Sequence, residues 1–261
     1  MQLGMRGVFN DIPERRSLAR NLSLTERDFE ILEFIMDMKF SGIYEVFEKF
    51  FRVTQSNGEA KSSEWAKKRL FQLEKAKFLK SVRSFSEATR YYTTTFKAYY
   101  AITNFKPEAN VGKPNGGFDQ RTFVHDRMVL QSRLLLESQG LVTSWLSDRK
   151  LRSSTELSGG LTSLYIPDAI YKLPSGEKVA FELEIAVKAK SRYQDKIKKY
   201  VQLMRAQNAQ HKIFDRVHYV CAKESVAEHL EKETRIYGDL FKIERLDTFF
   251  ALANQLKTTK I

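Results

Sequence analysis

Cysteine is almost missing from this chain: Cys221 stands alone in 261 residues. A single thiol excludes an internal disulfide and leaves no cysteine set for a structural metal. Prolines number only five, and with 42% hydrophobic residues the composition excludes a disordered or low-complexity chain. No apolar run approaches the ~20 residues that span a bilayer. The opening MQLGMRGVFNDIPERRSLAR lacks the apolar stretch and small-residue cleavage site of a secretory leader. No Walker-type glycine loop and no Gly-x-Ser-x-Gly elbow occurs. Histidines 211, 218 and 229 show no metal-ligand spacing. These absences point to a reducing, cytoplasmic setting without a membrane partner.

Positive charge is abundant. Forty-four Lys and Arg stand against 32 Asp and Glu, a formal net charge of +12. Such an excess favours a polyanion, because each neutralised phosphate releases condensed counterions. A membrane-surface binder would carry a long basic amphipathic helix or a lipidation signal, and neither is evident. Nucleic acid is the expected partner.

One seam divides the chain. Residues 103–120, TNFKPEANVGKPNGGFDQ, collect two prolines, three glycines and three asparagines between patterned segments, as a linker does. Residues 1–102 and 121–261 are therefore expected as two domains. In the first, Ser23 and Glu26 read as a capping box opening a helix, with Leu24, Phe29, Ile31, Leu32, Ile35 and Met36 on its buried stripe. A short helix, YEVFEKFF, follows Gly42, and a third, SSEWAKKRLFQLEKAKFL, follows the polar break QSNGEAK. Trp65, Leu70, Leu73 and Leu79 form the expected core face of the third helix. Lys61, Lys67, Lys68, Arg69, Lys75 and Lys77 crowd the rest. KSVRSF and RYYTTTF then flank the turn SEAT as a β-hairpin.

Three helices and a hairpin, with the third helix basic, follow the order of a winged helix-turn-helix. A helix fits the major groove, where Lys61, Lys67, Lys68, Arg69 and Lys75 would reach phosphates or guanine edges. Arg83 and Arg90 would touch the backbone from the wing. The plainer alternative is a solvated basic face, and winged helices also mediate protein contacts.

Beyond the seam, FVHDRMVLQSRLLLESQG reads as a helix ended by Gly140. Two strands, LTSLYIPDAIYKL and KVAFELEIAV, join through PSGE, and KSRYQDKIKKYVQLMRAQ is a long basic helix. RVHYVCAK is an apolar strand around Cys221, and the helix SVAEHLEKETRIYG follows it. This alternation argues for an α/β (α+β) layer structure on a mixed sheet.

The pattern with the most chemistry is Pro167-Asp168 followed by Glu182-Leu183-Glu184. Alternation along a strand puts Glu182 and Glu184 on one face, with Phe181, Leu183 and Ile185 on the other. A hairpin loop with an odd number of residues would set Asp168 beside one of the glutamates, and an even loop would not. Three carboxylates gathered in a low-dielectric site repel one another unless a hard cation binds, so Asp168, Glu182 and Glu184 are candidate ligands of Mg²⁺ or Mn²⁺. Such an ion activates water, and a lysine (Lys188, Lys190 or Lys196) adds charge beside the phosphate. The alternative is a sheet edge whose acids pair with nearby lysines. His125 with Asp126 is a weaker candidate, read first as a helix start. Tyr193 and Tyr200 are read first as packing residues and second as nucleophiles.

LTERDFEILEFI, WAKKRLFQLEKAKFL and YYTTT resemble the winged helix of the plasmid replication-relaxation family. IPDAIYKLPSGEKVAFELEIAVKAKSRYQDKIKKY resembles that family's second half, across roughly residues 22 to 225 in all. The layout is also similar to that of the C-type mobilization relaxases. The resemblance implies a restriction-endonuclease-like PD-(D/E)xK domain in which Asp168 and Glu182 are the two acidic ligands. Glu184 then stands where many of these nucleases carry lysine, so the charge would come from Lys196, one turn from Tyr200, or from Lys188. Lys97 departs from the family's wing, where glycine is frequent. The implied activity is metal-dependent cleavage of double-stranded DNA, nicked or single-stranded at the cut, on a plasmid or mobile element. A homodimer or accessory mobilization proteins would assist. The competing reading is a non-catalytic regulator of plasmid replication or transcription.

Overall fold

The computed structural model describes residues 22–54, 58–59, 62–85, 87–114, 119–159, 161, 165–206 and 212–251. It is a mixed α/β fold. In chain order the first half runs α1 (Glu26–Asp37), β1 (Ser41–Gly42), α2 (Ile43–Phe50), β2 (Val53–Thr54), β3 (Gly58–Glu59), α3 (Glu64–Lys75), β4 (Leu79–Arg83), β5 (Arg90–Thr94) and α4 (Phe96–Phe105). The second half runs α5 (Phe123–Ser138), β6 (Ser144–Ser147), α6 (Asp148–Ser153), α7 (Thr155–Ser158), β7 (Ala169–Lys172), β8 (Lys178–Glu184), α8 (Lys190–Ala206), β9 (Arg216–Cys221), α9 (Glu224–Thr234) and β10 (Phe241–Arg245).

Helix α1 begins two residues later than the Ser23–Glu26 pattern suggested. Thr25 is the cap, and Asp28 closes the box: its Oδ2 accepts from the Thr25 amide at 2.6 Å. Both spacings suit a box, and the second places Asp28 against Arg69 of α3. In α3 the core positions are Ala66, Leu70 and Leu73, while Trp65 is 69% exposed. The expected burial of Trp65 is thus corrected: close approach of α3 to its neighbours needs the small side chain at 66. Leu79 is buried too, as the first residue of β4 rather than on the helix. Helix α4, not anticipated from the sequence, opens on Thr95, whose hydroxyl accepts from the Ala98 amide. It takes in residues 103–105 of the expected linker.

Strands β1, β5 and β4 form an antiparallel sheet in that order, with β4–β5 the expected hairpin. The larger sheet has the order β10-β9-β8-β7-β6; β6, β7 and β8 are antiparallel, and β8, β9 and β10 parallel. Strand β6 and the short helices α6 and α7 also escaped the sequence pattern. Both sheet faces are covered. Phe181, Val179 and Leu183 join one hydrophobic core with α1, α3 and α5, while Ile170, Ala180 and Tyr219 join another under α8 and α9. The first core therefore runs through both halves of the chain. Phe40, Tyr91 and Phe123 add an aromatic junction between them, with ring centroids 5.1–5.3 Å apart.

Candidate active site

The β7–β8 hairpin sets the geometry. Ala169 pairs with Phe181 and Lys172 with Lys178, and the Leu173 amide donates to the Glu177 carbonyl at 2.8 Å. That leaves the three residues Pro174, Ser175 and Gly176 at the tip, the odd loop that Asp168 requires. Gly176 takes φ +94°, where a side chain would be strained. One step beyond the Ala169–Phe181 pair, Asp168 stands across from Glu182.

Asp168 Oδ2 accepts from the Leu183 amide at 2.8 Å and lies 3.2 Å from His125 Nε2. Both contacts fall on Oδ2, so Oδ1 has no hydrogen-bond partner among the described residues, and the side chain keeps 24% exposure. Glu182, on the face covered by α8, is buried. Its Oε2 meets Lys196 Nζ at 2.6 Å, and its Oε1 accepts from the Tyr200 hydroxyl. Lys196 and Tyr200 lie one helical turn apart on α8, so both reach the same carboxylate. Glu184, on the same face and also buried, turns to Lys188 Nζ at 2.6 Å.

His125 of α5 is the site residue that the sequence underrated. Besides Asp168, its Nε2 lies 3.2 Å from the Leu183 carbonyl, and its Nδ1 lies 3.5 Å from Asp126 Oδ1. Asp126 in turn accepts from Lys39 Nζ at 2.8 Å and from the Thr122 hydroxyl at 2.9 Å. Lys39 also lies 3.4 Å from Asp148. The only sequence signal was the adjacency His125-Asp126, which also reads as an ordinary helix start.

The charges are strongly coupled. Burial pushes the His125 imidazole down, but hydrogen bonds and charge from Asp126 and Asp168 outweigh it and carry it up to about 10. Burial pushes Asp168 up, yet His125, the Lys196 charge and the Leu183 amide bring it down to about 2. For Glu182 burial wins: despite Lys196, and with Asp168 adding repulsion, its carboxyl rises to about 7. Lys196 is held protonated, because Glu182 and Asp168 overcome its burial. One ammonium thus answers two carboxylates.

Asp168, Glu182, Lys196 and Glu184 come together at the ends of β7 and β8, but not as a triad of metal ligands. Among the described residues no three His, Cys, Asp or Glu side chains are placed to hold one ion. Glu184 leaves the expected set because Lys188, four residues on, claims it. A smaller donor set fits a hard cation. Mg²⁺ commonly binds through one or two carboxylates, with water and substrate phosphate completing its shell. Asp168 Oδ1 is one candidate ligand for such an ion, and Glu182, whose two oxygens already bond Lys196 and Tyr200, is the other.

The residues expected to contact DNA separate into groups. Lys67, Lys68, Lys75 and Arg83 are exposed, with Lys67 3.4 Å from Glu64. Arg90 is exposed and lies 3.8 Å from Glu74. Arg69 is corrected: its Nε donates to Asp28 Oδ1 at 2.6 Å and its Nη2 to Oδ2, which ties α3 to α1. A basic residue in a sequence does not disclose a partner 41 positions away. Lys61 lies outside the described residues.

Tyr193 and Tyr200 are buried, Tyr193 bonded to the Lys188 amide and Tyr200 to Glu182, as packing residues are. Cys221 lies in the core. No helix among the described residues is long and apolar enough to cross a membrane. Comparison with protein-family models, curated proteins and solved structures finds no match to this chain.

Proposed function

We propose that this is a DNA-binding protein in which a winged helix, residues 22–105, selects a duplex site. Its larger sheet would be a PD-(D/E)xK-type domain that cleaves a strand at Asp168, Glu182 and Lys196. The element order α1-β1-α2-β2-β3-α3-β4-β5, three helices closed by the β4–β5 hairpin, supports the first part, with exposed Lys67, Lys68, Lys75 and Arg83 on α3 and the hairpin. The single observation that carries the second is the hairpin register that sets Asp168 across from Glu182, with Lys196 on Glu182 at 2.6 Å.

Asp168 and Glu182 would hold Mg²⁺ or Mn²⁺, which when bound supplies a Lewis acid and an activated water. Lys196 would place positive charge beside the scissile phosphate. The Tyr200 hydroxyl keeps Glu182 oriented, and His125 keeps Asp168 ionised and aimed.

A second reading, the non-catalytic plasmid regulator, draws on a specific observation. Glu182, Glu184 and Asp168 each already have a cationic partner: Lys196, Lys188 and His125. A buried polar network of this kind can serve as scaffold alone. Supercoiled plasmid incubated with Mg²⁺ or Mn²⁺ separates the two. Open-circular product from the wild type, lost in Asp168→Asn and Glu182→Gln while DNA binding persists, supports the cleaving centre. Binding without product in either metal leaves the regulator.

A further inference from the structure

We propose that the outer face of α3 and the tip of the β4–β5 hairpin bind unpaired nucleic-acid bases. Trp65, Phe71 and Phe85 would be stacking platforms, and Lys68, Lys75 and Arg83 phosphate contacts. The inference rests on the nucleic-acid reading above and narrows its duplex site to one that carries unpaired bases.

The helix itself supplies the first argument. With Ala66, Leu70 and Leu73 buried, a turn of 100° per residue sets Lys68, Phe71 and Lys75 opposite the core, with Trp65 beside Lys68. Trp65 is 69% and Phe71 56% exposed, and the Lys68 ammonium lies 5.7 Å from the centre of the Trp65 ring. Leaving two large rings in water forfeits burial that the core offers elsewhere, so their exposure marks a contact surface. The hairpin repeats the composition: Phe85 is 91% exposed between the exposed Arg83 and Arg90. Glu74 of α3 accepts from the Ser81 amide at 3.0 Å and lies 3.8 Å from Arg90, which holds the hairpin beside the helix.

The interleaving identifies the partner. An intact duplex hides the faces of its bases in the stack and offers edges, which are read by hydrogen-bonding side chains. Exposed rings gain little there. Unpaired bases offer their faces, and aromatic platforms along a cationic track are how single strands are held without sequence preference. A protein partner fits less well, because lysines are depleted from the centres of protein interfaces. Lys68, Lys75 and Arg83, moreover, make no ion pair among the described residues.

The chain carries its own reporter. Of its two tryptophans, Trp145 is 5% exposed and packs against Tyr171 and Phe181, so a ligand that alters emission does so through Trp65. The full chain would be titrated at fixed salt with a single-stranded 20-mer, the matching blunt duplex, and that duplex carrying a central unpaired bubble. Quenching by the single strand and the bubble is expected, with affinity ~10-fold above the blunt duplex. Trp65→Ala should lose the quench and ~10-fold in affinity, and Trp65→Phe should keep the affinity.

Equal binding of all three ligands, unmoved by Trp65→Ala or Phe71→Ala, overturns the inference while leaving the duplex reader intact. Absence of binding to any nucleic acid removes the underlying reading as well. If those two variants abolish self-association in sedimentation and leave DNA affinity unchanged, the face is a contact between copies and the inference fails.

Discussion

At the scale of single residues, the candidate site is a set of buried charges in which each depends on its neighbours. Lys196 answers both Glu182 and Asp168. Replacing it with methionine would strand a buried carboxylate, and breaking such a pair costs about 3–5 kcal/mol. Urea unfolding should show a loss of that order for Lys196→Met, and Lys196→Met/Glu182→Leu should recover most of it. An unchanged stability in the single variant would mean that the two groups are solvated rather than paired. His125 predicts a pH dependence. Its proton affinity rises from 6.5 unfolded to about 10 folded, so the stability it lends is complete below 6.5 and vanishes as pH climbs through 10. Asp168 works in the opposite sense: its contribution is present above 3.8 and is lost as pH falls through 2. The difference in melting temperature between wild type and His125→Gln should therefore be largest below pH 6.5 and fade by pH 10. A difference that stays constant across that range would exclude the imidazolium.

At the scale of elements, α3 is the sharpest test of how the first half is built. Its buried face is small in the first turn, where Ala66 meets the rest of the core, and its largest residue points outward. Leu70→Ala should cost ~2–5 kcal/mol, whereas Trp65→Ala should change stability by less than ~0.5 kcal/mol. Denaturant unfolding of the two variants would reverse that order if Trp65 were the core residue its hydrophobicity suggests. The β7–β8 hairpin is the corresponding element in the second half. Its run of apolar and β-branched residues was legible, and so was the parity rule that links loop length to the position of Asp168. Strand β6 was not legible, because the four residues Ser144–Ser147 carry too little alternation to rise above a loop. They become a strand by pairing with β7, through Trp145 opposite Tyr171.

At the scale of the whole molecule, the two halves meet through more than a linker. The core that holds α1 and α3 also holds α5 and one face of the larger sheet. Ion pairs cross the same junction: Lys39–Asp126 at 2.8 Å, Lys49–Glu137 at 2.5 Å, and Lys150–Glu33 at 2.8 Å. Lys39 adopts φ 71°, a left-handed conformation that costs a lysine ~1–2 kcal/mol and that its contacts with Asp126 and Asp148 offset. A shared core predicts shared melting. Far-UV circular dichroism, which follows all helices, and Trp145 emission, which follows the larger sheet, should report one coincident transition. Two resolved transitions would show that the halves melt separately. In this arrangement Lys39, just past the end of α1, connects through Asp126 and His125 to Asp168, so the first half of the chain and the candidate site share one chain of charges.

The sequence by itself determined the alternation of the longer helices and strands, though not α4, β6, α6 or α7, the basic character of α3, and the face shared by Glu182 and Glu184. Those features follow from local period and charge, which a few neighbouring residues decide. It also carried the condition under which Asp168 joins the glutamates, since strand parity is a matter of counting. Only the tertiary structure decided which charges were free. Arg69 went to Asp28 and His125 to Asp168, pairings across distances that periodicity cannot encode, and Glu184 went to Lys188, only four residues on. It also decided that Trp65 faces water and Ala66 the core, because burial depends on which neighbour leaves room and not on the hydrophobicity of the residue alone.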